Sequence, residues 1–76
     1  MKLIYYTKYG CSLCEEGLHM LRHLPFIDLT ILDVEDDPVK YQSYLTRIPV
    51  IATGDGHREI SWPFTIEDIH ALVEEQ

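Results

Sequence analysis

Tyr9-Gly10-Cys11-Ser12-Leu13-Cys14 carries the only two cysteines of the chain, two residues apart, between an apolar β-like run and an amphipathic helical pattern. A strand ending just before residue 8 and a helix opening near residue 11 put Cys11 at a helix N-terminus. Unpaired N–H groups and the positive end of the helix dipole stabilise a thiolate there. The thiolate is the nucleophile of disulfide exchange, so a redox centre is the first expectation.

Upstream, Lys2-Leu3-Ile4-Tyr5-Tyr6 is a continuous β-prone run with apolar residues on both alternating faces, as in a strand buried on both sides of an α/β sheet. Downstream, Leu13, Gly17, Met20, Leu21 and Leu24 recur at helical spacing on one face, and Pro25 ends the helix. Residues 27–34 read as a second strand. Asp37-Pro38 reads as an N-cap followed by proline at the first helical position, opening a short helix over Val39 to Leu45. Pro49 to Thr53 is a third strand, Gly54-Asp55-Gly56 a hairpin turn, and Arg58 to Ser61 a short edge strand. Thr65 with Asp68 approximates a capping box for a last helix whose inward residues are Ile66, Ile69, Leu72 and Val73. The order is β-α-β-α-β-β-α in a single domain over residues 1–76.

Six Lys and Arg against thirteen Asp and Glu give a formal charge of −7, which repels nucleic acid and anionic membranes. Apolar content of 46% and charged content of 25% are those of a globular domain, and a chain this short buries about 60% of its unfolded surface. No apolar run approaches a membrane span and no secretory pattern opens the chain, so a cytoplasmic monomer is expected. In that compartment a lone CxxC is catalytic or metal-binding rather than a structural staple.

Two thiols at this spacing close a small disulfide ring with little backbone movement. Cys11 is then the attacking thiol and Cys14, one turn deeper, the resolving one. Lys8 should lie near the thiolate and favour it, while Glu15 and Glu16 oppose it. As text, Cys11, Cys14, His19 and His23 spell a Cys2His2 metal site. On a helix, however, with Leu13 at zero, Cys14 points near about 100° and the two histidines near about 240° and 280°, so the set does not close without unwinding. No metal is assigned to these residues. Two thiolates shared between chains around a metal or cluster remain an alternative, as do passive, buried cysteines.

Pro49 opens its strand, either as a trans residue marking the strand start or as a cis residue exposing the preceding backbone to a ligand. Trp62-Pro63-Phe64 either lines a groove or joins the core. Tyr5 and Tyr6 read as strand core, and Tyr9 as an exposed substrate contact. His57, His70 and the acidic Glu35-Asp36-Asp37 read as solvated surface.

Together, Tyr6 to Glu16, Arg47-Ile48-Pro49-Val50 and Ser61-Trp62-Pro63-Phe64 resemble the short bacterial glutaredoxin-like proteins across essentially the whole chain. The resemblance implies a thioredoxin-like α/β fold: a four-stranded mixed sheet flanked by three helices, the first and last on one face and the middle one on the other. It implies a cis Pro49 set against the CxxC, with the backbone of Ile48 pairing with substrate, and it matches Lys8 to a basic position of that family. The chain departs from the usual glutaredoxin pattern in two places and from the thioredoxins in a third. Ser12-Leu13 stands where Pro-Tyr is usual, and no Gly-Gly precedes the last helix, where Trp62 and Phe64 would crowd a glutathione groove. Tyr5 occupies the position of the buried carboxylate of thioredoxins.

The expected function is therefore thiol–disulfide oxidoreduction on protein disulfides, and less readily on glutathione mixed disulfides. Lys8, Tyr9, Leu13, Ile48, Pro49 and Trp62 would contact substrate, no cofactor is needed, and a thiol or flavoprotein reductant would recycle the pair. The alternative is a binding module of the same fold that holds a metal or iron–sulfur cluster between chains, or docks a protein partner, with little turnover.

Overall fold

The computed structural model describes residues 2–24 and 27–74. The elements are β1 (Lys2–Thr7), α1 (Ser12–Arg22), β2 (Asp28–Asp33), a 3-10 turn (Val34–Asp36), α2 (Pro38–Tyr44), β3 (Val50–Thr53), β4 (Glu59–Ser61) and α3 (Ile66–Glu74). The sheet runs β2-β1-β3-β4. β1 pairs parallel with β2 and antiparallel with β3, and β3 pairs antiparallel with β4, so the sheet is mixed. Among the described residues no helix is long and apolar enough to cross a membrane.

β1 is a central strand, and its alternation divides the core in two. Leu3 and Tyr5 join Ile51 of β3 under Leu21 of α1 and Ile69 and Leu72 of α3. Tyr6, with Ile4 beside it, joins Val50 and Ala52 under Val34 and Tyr44 on the α2 side. The continuous apolar run at the start of the chain thus serves two layers at once. Each fully buried side chain of that kind contributes about 1.5–3 kcal/mol, and so small a domain needs both layers.

Local signals close the helices as the sequence leads one to expect. Asp37 Oδ1 accepts from the N–H groups of Val39 and Lys40 at 3.0 and 3.2 Å, with Pro38 in the first turn. Thr65 N–H donates to Asp68 Oδ2 at 2.9 Å and Asp68 N–H to Thr65 Oγ1 at 3.1 Å, a reciprocal capping box. Removing the Asp37 cap (Asp37→Ala) is expected to cost about 1 kcal/mol, read as a shift of the denaturation midpoint.

Several expectations need correction. β2 ends at Asp33 rather than residue 34, because Asp33 Oδ1 accepts the Glu35 N–H at 2.8 Å and turns the chain into the 3-10 segment. Leu13, read as part of the core face of α1, is 42% exposed, and the buried face of α1 is Cys14, Gly17 and Leu21. Ile66, read as facing inward, is 37% exposed in the first turn of α3, whose buried residues are Ile69 and Leu72. Phe64, read as crowding a groove, is buried with Tyr5 in the core. Pro25, expected to end α1, lies outside the described residues; the helix is already finished at Arg22, with His23 as its cap.

Candidate redox site

Gly10 adopts a positive φ of 79°, and the Cys11 N–H donates to the Lys8 carbonyl at 3.2 Å, so the chain leaves β1 through a tight turn. A left-handed residue is least costly as glycine. Cys11 follows as the N-cap of α1 in extended conformation, and its sulfur accepts the N–H of Cys14 at 3.1 Å. The helix end therefore directs a backbone donor at the first sulfur, the contact that stabilises a thiolate. Cys11 and Cys14 are joined as a disulfide with Cα atoms 5.2 Å apart. Cys11 is half-buried at the rim, whereas Cys14 is 3% exposed. The two sulfurs are thus unequal in access, as an attacking and a resolving thiol must be.

The candidate substrate residues fall into two groups. Lys8 and Tyr9 border a cleft of about 670 Å³ between the end of β1, α1 and β2, along with Cys14, Glu15, Ile31 and Asp33. Tyr9 is 92% exposed. The Lys8 ammonium lies 3.9 Å from Glu35, so Glu35 offsets part of its positive field. The second group is tied together by backbone. The Ile48–Pro49 peptide bond is cis, and the Pro49 carbonyl accepts the Trp62 N–H at 2.9 Å, which sets Trp62 beside Pro49. The Trp62–Pro63 bond is also cis, which the sequence reading did not anticipate. Pro49 itself is fully buried and Ile48 half-buried, so Ile48 presents the accessible part of this ledge. Ile48 N–H already donates to the Tyr44 carbonyl at 2.9 Å. Strand-like pairing with a substrate would therefore run through the Ile48 carbonyl, or require its N–H to exchange partners. Leu13 stands exposed in the first turn of α1.

Two contributions escaped the sequence reading. Tyr5 is fully buried and its hydroxyl donates to the Cys14 carbonyl at 2.7 Å. Burial, reinforced by the charge of Glu15, holds its phenol well above the ordinary range. Tyr5 is therefore a fixed donor that anchors the first turn of α1, not a proton acceptor. The second is Glu59 on β4, which accepts from the Tyr44 hydroxyl and, at 3.1 Å, from Arg47. These bonds tie the end of α2 and the approach to Ile48 onto the sheet. A strand glutamate pairing with residues 12 and 15 positions away has no local signature.

The Tyr44 hydrogen bond, then Arg47, holds the Glu59 carboxyl below its ordinary range against the opposing effect of burial. Burial, then Glu59, pushes the Tyr44 phenol up to about 12. A carboxyl with a depressed folded pKa stabilises the fold above its unfolded pKa and loses that contribution as pH falls through the folded value. The advantage of the wild type over Glu59→Gln in thermal melts is therefore expected to be full at neutral pH and to shrink on acidification. Glu59→Ala, which removes both bonds, is expected to cost about 1–2 kcal/mol, discounted for the partly exposed pair.

Among the described residues no group of three His, Cys, Asp or Glu side chains is placed to hold a metal ion. His19 and His23 lie against one another, with their Nε2 atoms 3.4 Å apart.

This fold, with a disulfide-forming CxxC opening α1, defines a protein of the thioredoxin-fold class, which is consistent with an oxidoreductase. The chain belongs to the glutaredoxin-like domain (DUF836) family, whose model matches residues 2–74. Among solved structures it is similar to the Northeast Structural Genomics target protein XcR50 from X. campestris. The X-ray structure of XcR50 superposes with a TM-score of 0.84 at 26% identity over 97% of each chain. Its solution structure gives 0.81 at 26% identity over 100% of this chain and 96% of that one. Thioredoxin 1 from the thermophilic eubacterium Thermosipho africanus TCF52B matches with a TM-score of 0.71 at 22% identity, over 99% of this chain and 92% of that chain, and shares the fold. No curated protein matches by sequence.

Proposed function

We propose that this protein is a thiol–disulfide oxidoreductase that reduces protein disulfides. In the reduced protein the Cys11 thiolate attacks one sulfur of the substrate disulfide, forming a mixed disulfide and expelling the other substrate sulfur, which leaves as a thiol after protonation. Cys14, deprotonated by solvent, then attacks the Cys11 sulfur, closes the Cys11–Cys14 disulfide and releases the second substrate thiol. Two electrons pass from the protein dithiol to the substrate, and an external thiol or flavoprotein reductant restores them. The observation that carries this reading is the unequal pair: a rim sulfur facing a helix N–H and a buried partner already close enough to bond to it.

Preference for protein over glutathione disulfides is supported by the corner before α3. Thr65 and Asp68 are engaged with each other there, and Trp62 stacks edge-on against the buried Phe64 with centroids 5.1 Å apart. Ile48, Trp62 and the exposed Leu13 and Tyr9 supply apolar contacts suited to a peptide.

The test is a redox titration in glutathione buffers, followed by Trp62 fluorescence and thiol alkylation. A reversible two-electron transition at about −200 to −270 mV is expected, the range of working redoxins. A pair that never closes reversibly would remove the proposed chemistry and leave a binding role.

A further inference from the structure

The α1 helix carries a second constellation that the redox pair does not use. His19 lies in its last turn and His23 is its C-cap, both exposed and one helical turn apart. Their rings meet edge to face at 89° with centroids 4.8 Å apart, and the two Nε2 atoms converge to 3.4 Å. With metal–nitrogen bonds of about 2.0–2.1 Å, two imidazoles bound at a tetrahedral angle have nitrogens about 3.3–3.4 Å apart. The separation of the two Nε2 atoms thus matches the bite of a zinc chelate. As imidazoles alone they satisfy each other only if one Nε2 carries a proton and the other accepts it; a metal takes the place of that shared proton and uses both lone pairs.

We propose that His19 and His23 form a binding site for a single borderline-soft divalent cation, with Zn²⁺ the best geometric fit and Cu²⁺ a second ligand of the same chemistry. Electrostatics adds to the geometry. The site occupies the C-terminal end of α1, where the helix dipole is negative and a cation is favoured. Glu15 and Glu16 precede His19 by four and three residues and so occupy the neighbouring turn, while Arg22 opposes them from the last turn. The two remaining coordination positions fall to water. The histidines point away from Cys14 around the helix axis, so the site is separate from the redox pair and independent of its oxidation state. A bound cation would staple the C-cap onto the body of α1 and stabilise the folded chain by an amount that rises with the logarithm of the free metal above its dissociation constant.

The test uses the intact disulfide form, in which the thiols are closed to metal. Zn²⁺ is titrated by calorimetry and by thermal denaturation, and Cu²⁺ by electron paramagnetic resonance. One ion per chain is expected, with a Cu²⁺ spectrum showing two coupled nitrogens and a melting temperature that rises with Zn²⁺. His19→Ala and His23→Ala should each weaken binding on the order of tenfold or more and remove the thermal shift, while His57→Gln and His70→Gln leave both in place. Binding unchanged in His19→Ala or His23→Ala, absent from the disulfide form, or appearing only after reduction would overturn the proposal. None of these outcomes bears on disulfide exchange, which is read separately.

Discussion

Cys11→Ser is expected to abolish disulfide reduction, and Cys14→Ser to stop the reaction halfway, as a mixed disulfide through Cys11. Cys11 is the sulfur at the rim, with a helix N–H directed at it, whereas Cys14 is 3% exposed beneath the first turn. A bulky protein disulfide reaches the first and not the second. Serine is a favourable N-cap, so Cys11→Ser keeps the role of Cys11 at the head of α1 while losing the nucleophile and, with it, the Cys11–Cys14 disulfide. A melting temperature equal to that of the reduced wild type, with no turnover, isolates the chemistry from the fold. The assay is turbidimetric reduction of insulin, with mass spectrometry of the Cys14→Ser adduct. Equal activity in Cys11→Ser, or an adduct that forms on Cys14 when Cys11 is absent, would require the roles to be reassigned.

Gly17→Ala is expected to destabilise the protein by up to about 2 kcal/mol, although alanine favours a helix by about 1 kcal/mol over glycine. A β-carbon at residue 17 collides with the Tyr5 hydroxyl and comes within 3.2 Å of Phe64 Cζ. Both neighbours are buried core rings, and the Tyr5 hydroxyl is committed to the Cys14 carbonyl, so neither yields cheaply. Overpacking of this kind costs about 1–3 kcal/mol and outweighs the propensity gain. Tyr5→Phe alone is expected to cost about 1 kcal/mol for the lost hydrogen bond. The double variant should be more stable than the sum of the singles by about 1 kcal/mol, because removing the hydroxyl makes room for the methyl group. Chemical denaturation of the four proteins of the cycle measures that coupling. Simple additivity would mean that Gly17 is small for some reason other than Tyr5. Because Tyr5 holds the turn that carries Cys14, Tyr5→Phe should also shift the midpoint potential of the pair, a readout that a loss of global stability alone would not move.

Much of the architecture was readable before any coordinate, and the residues that made it so act over short distances. Asp37-Pro38 and Thr65 with Asp68 mark helix starts because a side-chain oxygen satisfies backbone N–H groups two or three residues on. Gly10 marks the exit from β1 because its backbone is left-handed. The β1 run announced a two-sided strand because apolar residues occupy both of its faces. Where reading failed, periodicity met a boundary. Leu13 and Ile66 fit the apolar stripes of their helices, yet both are exposed, while the buried residues are Cys14, Gly17 and Leu21 in α1 and Ile69 and Leu72 in α3.

Sequence alone therefore determined the element order, the helix caps, and a cysteine pair at a helix start. Spacing and local hydrogen bonding fix these within a few residues of chain. Tertiary structure decided that the Tyr5 hydroxyl holds the Cys14 carbonyl in a slot Gly17 keeps open. It also decided that Phe64 belongs to the core, and that Glu59 ties Tyr44 and Arg47 to the sheet beside Ile48. Each of these is a contact between segments brought together by packing, and neither partner's neighbours in the chain carry any trace of the other.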